Sequence, residues 1–231
     1  MAKTLGIIGG IGPESTIDYY RSLIAQHRAE RPDDCQPSII INSIDLKRML
    51  GFIAADQLSD LVEFLLEEIH RLSAAGANLA LMAANTPHLV FDDVARASPI
   101  PMISIVEATC EHVRRLGLAN VGLLGTRFTM QGRFYPEVFA RSRISVLSPT
   151  EEEQAYIHEK YLGELVAGIY KTETRVRLTE IIQNMVEKNR VQAMILGGTE
   201  LPLLLRHENG AGIPLLDTTQ IHVKAALQRM I

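Results

Sequence analysis

Leu5-Gly6-Ile7-Ile8-Gly9-Gly10 recurs as Val121-Gly122-Leu123-Leu124-Gly125-Thr126. Two further segments recur in the same order. Leu81-Met82-Ala83-Ala84-Asn85-Thr86 matches Ile195-Leu196-Gly197-Gly198-Thr199-Glu200, and Ile100-Pro101-Met102-Ile103 matches Ile213-Pro214-Leu215-Leu216. The offsets are 116, 114 and 113 residues, so the second half of the chain repeats the first at nearly constant spacing. Each recurring segment is a short apolar run ending in small residues. That is how a strand buried on both faces of a parallel sheet reads. Amphipathic helical patterns alternate with these runs, which marks βαβ units.

The expected fold is therefore α/β, with two pseudosymmetric lobes. Each lobe is a parallel sheet flanked by helices, and the active cleft is expected between them. The boundaries read as 1–99 plus 212–231 for the first lobe and 100–211 for the second, with the last strand and helix returning to the first lobe. Expected strands are 4–9, 38–43, 79–83, 101–105, 121–124, 144–147, 193–196 and 214–216. Between them, Ser15 or Thr16 is placed to cap a helix bearing Tyr19, Tyr20, Leu23 and Ile24. Leu58, Leu61, Leu65, Ile69 and Leu72 mark one face of a helix that Gly76 ends. Other helices are expected at 88–96, 106–116, 130–140, 151–168, 173–188, 201–206 and 218–230.

Composition narrows the class. The 231 residues are 47% hydrophobic, enough for two cores, and carry a formal net charge of −4 without basic blocks. That speaks against nucleic acid as a partner. No apolar run reaches the roughly 20 residues of a membrane span, and the opening Met-Ala-Lys-Thr does not read as a signal peptide. A cytoplasmic protein without a membrane partner is expected. Two cysteines supply neither a disulfide framework nor a metal cluster. Cys110 reads as a core thiol on a helix and Cys35 as an exposed, inert one.

Ligands of parallel α/β sheets sit beyond the carboxyl ends of the strands. Four loops start there: Gly9–Ser15, Ala84–His88, Gly125–Thr129 and Gly198–Glu200. Each joins small residues to Ser, Thr or Asn at a helix start, where free N–H groups favour anions. A tight turn and ordinary helix caps are the plain alternatives for the same residues. Gly9-Gly10-Ile11-Gly12-Pro13 lacks the Gly-x-Gly-x-x-Gly spacing of a dinucleotide loop, and no Gly-Lys-Ser/Thr follows as in a Walker loop.

Taken together, several stretches make the chain resemble the aspartate/glutamate racemase superfamily, the cofactor-independent amino-acid racemases. They are Gly9-Gly10-Ile11-Gly12-Pro13-Glu14-Ser15-Thr16, Ala84-Asn85-Thr86-Pro87-His88, Leu124-Gly125-Thr126-Arg127-Phe128-Thr129-Met130, Gly198-Thr199-Glu200-Leu201 and Asp217-Thr218-Thr219-Gln220-Ile221-His222. The resemblance covers nearly the whole chain. It implies an isomerase with no cofactor and no metal, a small amino-acid or dicarboxylate ligand, and a homodimer. It also implies ligand contacts from Gly10, Asn85, Thr86, Thr126, Thr129 and Thr199.

The resemblance further implies a cysteine before Asn85-Thr86 and another before Thr199-Glu200. One thiolate would take the α-proton and the opposite thiol would return one. This chain has Ala84 and Gly198 at those positions. A positioned acid or base contributes about 10²–10⁴ in rate, so a two-thiol reaction is not expected from these residues. Candidates for a displaced base are His88, His158, Lys160, Glu14 and Glu200, with Arg127 and Lys47 as partners for a second carboxylate. Packing, capping or solvation is the plain alternative for each of these, and a solvated helix face is the blander reading of His158 and Lys160. Three readings follow: an isomerase with a displaced base, a one-sided lyase, decarboxylase or cis–trans isomerase, and an amino-acid-binding protein without turnover.

Overall fold

The computed structural model describes residues 3–31, 36–205 and 212–230. The chain divides into two compact units, 1–105 with 222–231, and 106–221. Cys35 and Arg206 lie outside the described residues.

The first unit contains β1 (Leu5–Gly9), α1 (Pro13–Glu30), β2 (Ile39–Ser43), α2 (Leu46–Ala54), α3 (Leu58–Ala74), β3 (Leu79–Met82), α4 (Phe91–Ala97) and β4 (Met102–Ile103). Its sheet is parallel throughout, in the order β2-β1-β3-β4. The second unit contains α5 (Ile105–Arg115), β5 (Asn120–Gly125), α6 (Arg127–Gln131), α7 (Phe134–Ala140), β6 (Ser145–Leu147), α8 (Glu151–Gly163), α9 (Thr172–Asn189), β7 (Ala193–Gly197), α10 (Leu201–Leu205) and β8 (Leu215–Asp217). Its sheet repeats the topology as β6-β5-β7-β8, again all parallel. The chain passes between units at the first residues of α5 and within α11 (Thr218–Met230).

The expected α/β class and parallel sheets are present. The central strands are buried because helices cover both faces: all of Leu5–Gly9 and all of Ala193–Gly197 are buried. In the first unit, Leu5, Ile7, Leu81 and Ile103 pack with Tyr19 and Leu23 of α1 and with Val223 and Leu227 of α11. In the second unit, Leu124, Met194 and Leu196 pack with Ile157 and Tyr161 of α8, and with Leu178 and Ile182 of α9.

Four readings are corrected. β4 pairs with β3, so residues 100–105 close the first sheet rather than opening the second lobe. β8 pairs with β7, so the last strand completes the second sheet instead of returning to the first. Short connections favour adjacent pairing in the same sheet. Only α11 beyond residue 221 belongs with the first unit. The expected 130–140 helix is two helices, because Gly132 is extended at φ −67°, ψ 147°. The helix α2 is an addition: Asp45 caps it by accepting from the Lys47 N–H at 2.8 Å and the Arg48 N–H at 3.3 Å.

Neither Ser15 nor Thr16 is the N-cap of α1. Gly12 holds that position at φ 117°, with Pro13 at the first helical position. Thr16 instead braces the loop from inside the first turn. Its hydroxyl accepts from the Gly10 N–H at 2.9 Å and donates to the Gly12 carbonyl at 3.2 Å.

Candidate functional site

In each unit the strand order reverses between the first and third strands. In parallel α/β sheets such a switch point is where ligands bind, outside the carboxyl ends of the strands. The residues at those ends are Gly10 and Ala84–Thr86 in the first unit, and Thr126 and Gly198–Glu200 in the second. The repeat thus places its equivalent loops at equivalent points of two equivalent sheets.

In the first unit, Gly10 has φ +78°, and a Cβ there would lie 2.5 Å from both the Ile44 carbonyl oxygen and Ser43 Oγ. Only glycine fits this left-handed turn. Ala84, Asn85 and Thr86 are buried beyond β3. His88, in the 3₁₀ turn Thr86–Val90, is buried and committed at both nitrogens. Nδ1 lies 3.1 Å from the Ala84 carbonyl, and Nε2 lies 3.1 Å from the Ile105 N–H. The N–H must donate to Nε2, so the proton sits on Nδ1 and points at Ala84 O. Burial first, then the neighbouring His222, push His88 down to about 3. Its ring stacks on Phe91 at 4.9 Å between centroids.

His222 repeats this pattern. Nε2–H donates to the Ile103 carbonyl at 3.0 Å, and Nδ1 accepts from the Tyr19 hydroxyl at 2.8 Å. Burial brings its pKa down to about 4. These two histidines are neutral struts that pin the ends of β3 and β4. His88 therefore has no lone pair available for proton abstraction. Glu14 is exposed on the first turn of α1, and Lys47 is exposed on the first turn of α2.

In the second unit, Thr126 is the N-cap of α6. Its Oγ1 accepts from the Thr129 N–H at 3.3 Å and meets Thr129 Oγ1 at 3.2 Å. The Thr129 side chain fills the space over Gly125 and Gly197, with carbons within 3.2 Å of where Cβ atoms on those glycines would stand. Arg127 is exposed, and its backbone N–H donates to His158 Nδ1 at 3.2 Å. Partial burial, then Arg127, lower the His158 pKa. Lys160 is tied to Glu164 at 3.3 Å and Glu159 at 3.4 Å. The bond to Glu164 is the main reason its pKa is raised, which makes it a poor base. Cys110 is buried, with Sγ toward Ser142 Oγ at 3.6 Å and Val138 O at 3.9 Å, and burial raises its pKa.

The most densely organised polar group in this unit surrounds Gly198. Tyr161 of α8 donates its hydroxyl to Glu200 Oε2, and Thr199 Oγ1 donates to the same oxygen at 3.0 Å. Tyr161 is 6% exposed, Thr199 2% and Glu200 1%. Burial first, then the charge of Glu200, hold the Tyr161 phenol well above its usual range. A Cβ on Gly198 would stand 2.3 Å from Tyr161 Cε2 and 2.9 Å from its Oη. The tyrosine thus occupies the volume that a side chain at residue 198 would need.

The end of α8 that carries Tyr161 is held firmly. A capping box of Thr150 and Glu153 starts the helix. Glu164 closes it, accepting from Thr174 Oγ1 at 2.6 Å and from Lys171 Nζ at 3.1 Å. Tyr161 was not among the residues singled out from sequence. The available signal was a glycine where the resemblance expects a side chain, since a buried glycine needs a bulky neighbour to fill its space.

Among the described residues no group of three or more His, Cys, Asp or Glu could hold a metal ion, and no helix is long and apolar enough to cross a membrane. Residues 8–226 match the Asp/Glu/Hydantoin racemase family. A candidate Asp/Glu racemase of Yersinia pestis is similar at 32% identity, with 99% of each chain covered and a TM-score of 0.88. An aspartate racemase homologue of Pyrococcus horikoshii is similar at 34% identity, with 99% of each chain covered and a TM-score of 0.84. The broad-specificity amino-acid racemase RacX of Bacillus subtilis is 24% identical over 96% of each chain. With two repeated parallel sheets, equivalent loop ends and a match across nearly its whole length, the chain belongs to the Asp/Glu/hydantoin racemase family.

Proposed function

We propose that the protein is a cofactor-independent isomerase acting at the α-carbon of a small amino acid or dicarboxylate. The match of residues 8–226 to the racemase family carries this reading. The buried donors at the strand ends support it: Asn85 and Thr86 in one unit, and Thr199 with Thr126 and Thr129 in the other. These neutral groups would hold a carboxylate or amino group. Gly10 would contribute the close backbone approach that its missing side chain permits. Ala84 and Gly198 would mark the positions from which the family's thiols act. A cytoplasmic homodimer fits the family reading.

The test is proton NMR in heavy water with aspartate, glutamate, alanine and lysine, both enantiomers of each. Loss of the α-proton signal from at least one of them is the expected result. Intact α-proton signals throughout, at high protein concentration and long incubation, would overturn the isomerase reading.

One observation favours a second reading. The first unit offers Ala84 and a His88 whose two nitrogens are both engaged. One-sided chemistry, such as a lyase, decarboxylase or cis–trans isomerase, needs a proton donor on only one side. Product analysis with malonate-type acids and unsaturated dicarboxylates separates the two. Carbon dioxide release or a geometric isomer would support one-sided chemistry.

A further inference from the structure

We infer that Tyr161 and Glu200 together take over, in the second unit, the proton-handling role for which the family's side chain at residue 198 is missing. The inference rests on the isomerase reading above and names the group that would carry the proton.

Three observations converge. The phenol ring fills the Cβ position of Gly198, so a side chain there and Tyr161 in its present place exclude each other. The phenolic oxygen is 2.9 Å from that Cβ position, which puts an exchangeable proton close to where the absent side chain would begin. That proton lies in a hydrogen bond to a buried carboxylate, whose same oxygen is also held by Thr199. Phenol and carboxylate thus form a pair that holds one exchangeable proton and has room for one more.

The step balances without any other reactant. The Cα–H bond of the substrate breaks, and its proton forms a bond to Tyr161 Oη. The proton previously on Oη passes along the existing hydrogen bond to Glu200 Oε2. The electron pair left on Cα delocalises into the substrate carboxylate as an enediolate. Nothing is oxidised or reduced, and reversal of the two transfers returns a proton to Cα. Relay through the phenol avoids a free phenolate, which burial and Glu200 both disfavour. Fixed donors around a water-poor site are the setting in which such transfers are effective.

Among its described residues the first unit has no counterpart. The helix that follows its second strand is α2, Leu46–Ala54, which contains no tyrosine, and the position matching Glu200 is Thr86.

The test is α-proton exchange in heavy water for the wild type, Tyr161→Phe and Glu200→Gln, with the amino-acid panel above. Phenylalanine keeps the ring that fills the space over Gly198 and removes only the hydroxyl. Both variants are expected to lose roughly 10²-fold or more in exchange rate. Tyr161→Phe should retain the wild-type dissociation constant for the exchanging amino acid, measured by calorimetry, and its far-ultraviolet circular dichroism. Exchange by folded Tyr161→Phe at the wild-type rate would overturn the inference and leave the isomerase reading standing. A wild type that exchanges nothing would overturn the isomerase reading, and this inference with it. If Tyr161→Phe fails to fold, Glu200→Gln decides: wild-type exchange by that variant overturns the pair.

Discussion

The two units share one plan and have diverged at its working end. Both order their strands 2-1-3-4 and place two helices between the second and third strands. At the switch point of the first unit two histidines and a threonine are engaged in holding backbone. His88 and His222 brace the ends of β3 and β4, Thr16 braces Gly10, and Ala84 carries no chemistry. At the switch point of the second unit a phenol, a hydroxyl and a carboxylate converge beside a glycine. A repeated fold supplies equivalent positions, but the packing around each position decides whether it is a strut or a reactive group.

That contrast is broken most directly at Gly198. Gly198→Ala inserts a methyl 2.3 Å from the Tyr161 ring. It is expected to displace the phenol from Glu200, lower α-proton exchange by roughly 10² and cost about 1–3 kcal/mol in stability. Exchange kinetics together with denaturant unfolding check both effects. A fully active, fully stable Gly198→Ala would show that the ring is not where the contrast requires it.

The next effect lies in the first unit. Gly10→Ala combines a left-handed backbone with a Cβ 2.5 Å from the Ile44 carbonyl. The backbone conformation alone costs of order 1–3 kcal/mol for a residue with a side chain. Urea titration should show the loss.

The pH dependence sharpens the comparison further. His88 at about 3 and His222 at about 4 both lie below the unfolded value of 6.5. The unfolded chain therefore binds more protons than the native chain over this range, and stability falls as pH drops below about 6.5. Each histidine contributes a slope approaching 1.4 kcal/mol per pH unit there. Amide hydrogen exchange, corrected for intrinsic rates, should show β1 and β3 losing protection between pH 7 and pH 5 before β5 and β7. Equal loss in both units would contradict the strut assignment.

The smallest effect is at Thr126, the counterpart of Gly10. Thr126→Gly is expected to cost only a few tenths of a kcal/mol, because glycine is itself an acceptable N-cap. A thermal melt measures the shift. A loss as large as that of Gly10→Ala would mean that the two turns are not built differently.

Much of this fold was legible in the sequence, for a physical reason. Strands buried on both faces must be apolar runs, and Leu5–Gly9 and Ala193–Gly197 are such runs. Which sheet claims a two- or three-residue strand is a matter of pairing, so the assignments of β4 and β8 needed coordinates. Asp45 before Leu46, with Met49 and Ile53 on one face, was a readable start for α2. The repeat marks the loops of the candidate site, whereas roles within them carry no local mark in the sequence. His88 reads as a candidate base until both of its nitrogens are traced to backbone groups. Tyr161 lies 39 residues from Glu200 and bears no local mark of its contact. Only packing reveals that a glycine and a tyrosine share one volume.

The central claim is that proton-handling groups sit in the second unit and not in the first. Its most direct test is the ratio of α-deuterium incorporation to optical inversion, followed from each pure enantiomer by mass spectrometry and chiral chromatography. Deuterium is expected to enter faster than configuration inverts, because the side that removes the proton returns a deuteron after exchange with solvent. Inversion keeping pace with every deuterium incorporated, from both enantiomers, would require a second proton donor opposite the first and would contradict the account.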